Sequence, residues 1–307
     1  MTATTTHADP VLLDGRFRLD WQISQRDGVS LWRATDELLC RPVAVRLLPA
    51  WTPVAPALAE AVQASARVND ARLAPIFDIS YSAESPYIVS EWAGDPTLAD
   101  LLRTGLPSPA LAAFIVAEAA AALSLAHAGG RPHLRLGLRS LHWGSSGLKI
   151  TGLGIDAALS AAETAGTAGT ADPGGTDTAA LAQILYALLT GYWPAENAPE
   201  PRQLSAGVPA ILNAIVCQAL PGAGPSSIRT LDGLATALRA AQPALSTLVP
   251  QARPAPARPA PAALAETRPA AASVPPQPAQ AATRGHARHA RSRADAGRRP
   301  ALVNCLT

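Results

Sequence analysis

With 307 residues, 48% of them hydrophobic, the chain can fill the core of one large domain or two small ones, which excludes a wholly disordered protein. The formal net charge of +2 hides an asymmetry: from residue 243 onward nine arginines face two carboxylates, whereas the preceding part has 16 basic and 21 acidic residues. An acidic body with a basic end is not the profile of a dedicated nucleic-acid binder, and the isolated Cys40, Cys217 and Cys305 lack the spacing of a metal site or a disulfide framework, which suits a reducing compartment.

Residues 1–11 are polar, carry no signal-peptide core and read as a disordered N-terminus. From Leu12 to Leu48, short apolar runs (Phe17 to Leu19, Val29 to Trp32, Val43 to Leu48) broken by the polar turn Gln25-Arg26-Asp27-Gly28 predict strands. The alanine-rich stretch Ala55 to Val68 suits a helix. Leu73 to Ser80 and Tyr87 to Trp92 predict two further strands. Thr97 to Leu102 and Pro109 to His127 predict helices, the second with proline in its first turn. That second run is the most apolar in the chain, but it contains Glu118 and reads as a buried helix, not a membrane span. Leu148-Lys149-Ile150 is a short strand. Ala161 to Thr176 has no apolar periodicity and reads as a loop. Thr178 to Thr190, Ala210 to Leu220 and Leu231 to Ala240 predict helices, the first with Leu181, Ile184, Leu185, Leu188 and Leu189 on one face. Strands first and helices after give an α+β class with the two segregated. Residues 242–307, rich in proline, alanine and arginine, read as a disordered tail.

Several segments in this order resemble the bacterial Ser/Thr protein kinase family. Gly15-Arg16-Phe17-Arg18-Leu19 is similar to the family's opening strand, and Arg41-Pro42-Val43-Ala44-Val45-Arg46 to its third. Tyr87-Ile88-Val89-Ser90-Glu91-Trp92 resembles its hinge strand. Ala126-His127-Ala128-Gly129 with His133 resembles the approach to the catalytic loop, and Asp177 to Leu185 with Leu188-Leu189-Thr190-Gly191 the long central helix. The resemblance covers residues 12–241. It implies a two-lobed kinase-like fold, with a β-rich N-lobe over about 12–92 and a helical C-lobe over about 93–241.

The residues that would move phosphate depart from the family's pattern. Phosphoryl transfer relies on positioning and charge neutralisation. The phosphate-covering loop, Ser24 to Ser30, keeps one glycine, Gly28, and reads as an ordinary hairpin. Arg46 stands where the family has its phosphate-contacting lysine, and the chain's only lysine is Lys149. The glutamate that pairs with that lysine falls at Ala61; Glu60 is one residue away, about 100° around a helix. Arg135 takes the place of the catalytic base, and a guanidinium does not accept a proton near neutral pH. Ser140 stands at the metal-holding asparagine. Gly152, in Gly152-Leu153-Gly154, replaces the metal-binding aspartate, and nothing in the spacing suggests that Asp156 reaches the same point. His133 and Asp177 are retained, with structural roles implied by the resemblance.

These departures describe a degenerate, pseudokinase-like member: a regulatory or scaffold module with no catalytic residues, no metal site and no required cofactor. The hinge Glu91-Trp92-Ala93 would allow weak ATP binding. Thr164, Thr167, Thr170, Thr176 and Thr178 offer phosphoacceptors. The partners implied are an active Ser/Thr kinase or a phosphothreonine-reading domain, as for the kinase-like domains attached to actinobacterial flippases. The alternative is a divergent kinase with residual transfer. The expected location is cytoplasmic, without nucleic-acid binding, and with at most weak anionic-lipid contact from the basic residues Arg284 to Arg299.

Overall fold

The computed structural model describes residues 11–26, 28–49, 68–80, 86–156, 173–222 and 227–247. Its first part is an antiparallel sheet of β1 (Leu12–Leu13), β2 (Phe17–Arg26), β3 (Val29–Asp36), β4 (Arg41–Leu47), β5 (Ile76–Ser80) and β6 (Tyr87–Glu91), in the order β1-β2-β3-β4-β6-β5. The period of two sorts its side chains onto two faces. Phe17, Leu19, Ala34, Val43, Val45, Tyr87 and Val89 close one core. On the other face Leu48 and Ile88 pack with Ile155, which comes from far along the chain. Arg46 follows Val45 and therefore turns away from the first core.

The β2–β3 turn is tight. Arg26 pairs with Val29, which leaves two residues between the strands. Gly28 has φ +77°, and a Cβ there would lie 2.8 Å from Pro49 Cγ, so both handedness and space call for glycine. This is a hairpin turn, as the sequence suggests, rather than an open glycine-rich flap.

The second part is helical: α1 (Leu98–Thr104), α2 (Pro109–Ala128), α3 (Pro173–Thr190), α4 (Pro201–Leu204), α5 (Ala210–Ala219) and α6 (Leu231–Thr247). Thr97 and Asp100 form a capping box on α1, and Ser108 caps α2 by accepting from the Leu111 N–H. The buried positions of α2 are mostly alanines, which lets neighbouring helices approach closely; Ile115, Val116 and Leu123 complete them. α2 is long and apolar enough to cross a membrane, but 56% of that window is buried within the fold. A two-stranded ribbon, β7 (Leu141–Gly144) and β8 (Gly147–Ile150), lies beside these helices.

Four details depart from the sequence reading. β7 is additional, signalled by Leu141 and Trp143 alternating before the Gly144-to-Gly147 turn. α3 starts at Pro173, five residues earlier than expected, because proline is tolerated in a first helical turn. α6 continues past residue 241 to Thr247 despite Pro243, since Ala241 and Leu245 are both buried. Cys40 is disulfide-bonded, so the thiols carry no argument about compartment. The helix expected over 55–68 lies, apart from Val68, outside the described residues.

Candidate functional site

Arg46, on β4, meets Asp156. Its Nη1 lies 2.6 Å from Asp156 Oδ1, with the two side chains 15% and 14% exposed. Nothing in the spacing from Gly152 suggested this meeting of Arg46 and Asp156. From Gly152 the backbone makes one helical turn, and the Asp156 N–H donates to the Gly152 carbonyl at 2.9 Å. This turn brings the Asp156 side chain back against Gly152. A Cβ at Gly152 would collide with Asp156 Oδ2 and lie 3.0 Å from Arg46 Nη2. The aspartate thus occupies the space where a side chain at 152 would begin. Gly152 and Gly154 have φ +94° and +80°, which makes the turn possible. Ile155, 2% exposed, anchors it against Leu48 and Ile88.

The segment matching the catalytic loop is held from beneath by Asp177, which is fully buried on α3. Its Oδ2 accepts from the His133 N–H at 2.7 Å and its Oδ1 from the Leu134 N–H at 2.8 Å. His127 Nε2 lies 2.8 Å from the same Oδ2. Leu134 has φ +64°, an uncommon conformation for leucine that these bonds hold in place. His133 is buried, with Nε2 2.9 Å from the Thr151 carbonyl and 3.8 Å from Asp156 Oδ2, and with Nδ1 lacking a hydrogen-bond partner. Arg135 follows on this loop, half-buried. Ser140 folds onto its own turn: its Oγ accepts from the Gly137 N–H at 3.0 Å and donates to the Gly137 carbonyl at 3.2 Å. Among the described residues no three His, Cys, Asp or Glu gather as a metal cage.

At the hinge, Lys149 Nζ lies 2.6 Å from Glu91 Oε2. The only lysine therefore braces the hinge strand instead of reaching the position of Arg46. The Glu91 N–H is used by the Pro75 carbonyl at 2.9 Å, and the Ala93 carbonyl accepts from the Asp95 N–H at 2.8 Å. Trp92 is half-buried beside them. Asp95 in turn accepts from the Ser146 hydroxyl, which holds its carboxyl below the usual range.

Ala61, Thr164, Thr167 and Thr170 lie outside the described residues. Thr176 and Thr178 are not on a loop: both sit in the first turns of α3, and Thr178 is 1% exposed. A buried helical threonine does not offer its hydroxyl to a kinase, and Thr178 is withdrawn as a phosphoacceptor. Sequence reasoning missed Asp156. The signal was the four-residue spacing from Gly152, which becomes meaningful only if the stretch coils.

A curled antiparallel sheet, a hinge at Glu91 and a helical part braced by a buried aspartate define the protein-kinase fold. The chain superposes on the crystal structure of the Mycobacterium tuberculosis PknI kinase domain, in a cysteine-to-alanine mutant, with a TM-score of 0.63 at 16% identity, covering 76% of this chain and 98% of that domain. A double mutant of the same domain gives a TM-score of 0.60 at 15% identity. In sequence, 163 residues are 32% identical to the serine/threonine-protein kinase PknA of Mycobacterium tuberculosis and of Mycobacterium bovis. That match covers 50% of this chain and 38% of PknA, so the chain spans well under half the length of these relatives. No family model matches the chain. The fold is that of a protein kinase, and half of the chain is similar in sequence to a mycobacterial Ser/Thr protein kinase.

Proposed function

We propose that the chain is a pseudokinase, a kinase-like domain that acts by binding rather than by phosphoryl transfer. The observation that carries this reading is the loop from His133 to Ser140. Its backbone is held by Asp177, yet the proton-accepting position is Arg135. A guanidinium has no lone pair to take the proton of an attacking hydroxyl. Ser140, at the asparagine position, is closed on Gly137. Losses of this kind cost orders of magnitude in rate, although not additively. Purified protein incubated with radiolabelled ATP and Mg²⁺ or Mn²⁺ is expected to show no transfer to itself or to a generic acceptor. Transfer that disappears in Arg46→Ala would overturn the reading in favour of a divergent kinase, for which Asp156 beside Arg46 is the supporting feature.

As a regulatory or scaffold module in the cytoplasm, the chain would need no cofactor for stability, and weak ATP binding at the hinge would be its remaining ligand chemistry. A partner Ser/Thr kinase or a phosphothreonine reader would act through Thr164, Thr167 or Thr170. Mass spectrometry of protein from its native cell tests this, and an unmodified 161–172 segment under all growth conditions would remove it.

A further inference from the structure

We infer that Tyr192 and Trp193 form a docking surface for a proline-rich segment of a partner protein, one that carries arginine beside its prolines. The surface lies outside the cleft and stands whether or not the chain transfers phosphate. Among the described residues the exposed aromatic side chains are Trp21, Phe77, Phe114, Tyr192 and Trp193. Three of them are already covered. The Trp21 ring carries the Arg33 guanidinium at 4.5 Å, Phe77 carries Arg41 at 3.8 Å, and Phe114 meets Trp143 edge-on at 5.9 Å. Tyr192 and Trp193, 67% and 48% exposed, have no such ring or guanidinium partner among the described residues.

The pair is displayed on a fixed backbone. Gly191 ends α3 with φ +83°, its N–H donating to the Ala187 carbonyl at 2.8 Å. The buried Thr190 hydroxyl donates to the Tyr186 carbonyl at 2.8 Å and accepts from the Tyr192 N–H at 3.2 Å. Pro194, directly after Trp193, is buried. Two large rings are thus held in water between fixed points, which reduces the ordering cost of binding. Leu106, 51% exposed, extends the patch: a Cβ at Gly191 would lie 3.5 Å from its Cδ2.

Area decides against a second copy. At these exposures the three side chains offer roughly 300 Å², whereas a stable dimer buries about 800 Å² a side. A short peptide matches the smaller patch. Residues 191–200 hold no strand for an extended chain to pair with, so the ring faces are the contact. Proline rings pack on such faces, and a proline-rich chain, which makes no internal hydrogen bonds, presents carbonyls to the Trp193 indole N–H. Charge adds the arginine. α1 and α3 both end here, at Thr104 and Thr190, and bring their partially negative C-terminal ends. Glu196, exposed, follows closely after Trp193. Arg103, the basic residue of the last turn of α1, is taken up by Asp100 at 2.8 Å.

The test is fluorescence anisotropy of a labelled synthetic oligoproline with arginine at each end, titrated with the full chain, against a peptide in which alanine replaces every proline. The wild-type chain is expected to bind the proline peptide at least about tenfold more tightly than the alanine one, and Trp193→Ala to remove that difference. Tyr192→Ala, at the more exposed ring, is expected to weaken binding several-fold. Trp21→Ala, which loses a ring already covered by Arg33, is expected to bind like the wild type. Equal binding of the two peptides, no binding of either, or proline-peptide binding that neither Trp193→Ala nor Tyr192→Ala weakens overturns the inference. So does a loss in Trp21→Ala as large as in Trp193→Ala. Self-association that Trp193→Ala abolishes overturns it in favour of a second copy, and a Trp193 indole N–H already protected from hydrogen exchange before peptide is added does so in favour of the chain's own residues. None of these results touches the pseudokinase reading, which phosphoryl transfer by the wild-type chain would overturn alone.

Discussion

Asp177 accepts three contacts at a site with no exposed surface: the N–H groups of His133 and Leu134 and the ring of His127. Its family resemblance made a bracing role an expectation, and the geometry gives the cause. Two backbone donors on a loop that includes a positive-φ leucine have no water to turn to, and the carboxylate satisfies both. Replacing it by alanine leaves these donors unpaired in the interior. Asp177→Ala is expected to lower unfolding stability by about 3 kcal/mol, read from urea denaturation, with Asp177→Asn losing less. Arg46 and Asp156 make a different point at this scale. Each residue type was plain in the sequence, and the resemblance alone set their positions against a lysine and a metal-binding aspartate. Their mutual pairing was not legible, because it depends on contact across 110 positions of chain.

Among the elements, α2 and α3 were legible because their apolar positions are dense and their starts carry capping and proline signals. α6 was legible only to residue 240. Its last turns carry Pro243, a local signal to stop, and tertiary packing overrides it by burying Leu245 and by the Gln242 side chain donating to the Ala110 carbonyl at 3.3 Å. A chain ended after residue 241 is expected to lose roughly 2 kcal/mol relative to one ended after 247, from the burial of Leu245 alone. Thermal unfolding of the two versions checks this. The turn from Gly152 to Asp156 was missed for the converse reason. Gly152 and Gly154 have positive φ values, which let the chain turn back at once, and the sequence carries no periodic signal for that.

Across the whole molecule, the sheet and the helices are joined by charge as well as by apolar packing. Arg72, ahead of β5, pairs with Asp70 at 2.6 Å and with Glu118 of α2 at 2.7 Å, and Glu118 also meets Arg239 of α6. Within the sheet, Arg16 binds Asp36. The Arg16 guanidinium holds the Asp36 carboxyl below the usual carboxylate range, and Arg72 does the same to Asp70. Both carboxyls therefore bind protons more weakly folded than unfolded. Their contribution is present above the unfolded value, near pH 4, and is lost as pH falls from there through the lower folded values. Urea midpoints are expected to hold steady from pH 7 to pH 5 and to drop below about pH 4. Arg16→Ala should flatten that drop, since without its partner Asp36 titrates closer to its unfolded value.

The sequence by itself determined the segregated α+β order and the kinase-like succession of segments. These are local properties: periodicity, capping and residue type at a position. Only the tertiary structure decided that Thr178 is buried, that the single lysine serves the hinge, and that Asp156 returns to the place Gly152 leaves open. Each of these depends on which distant segments share a few ångströms of space, and the coiling and packing that bring them together are set by the whole fold.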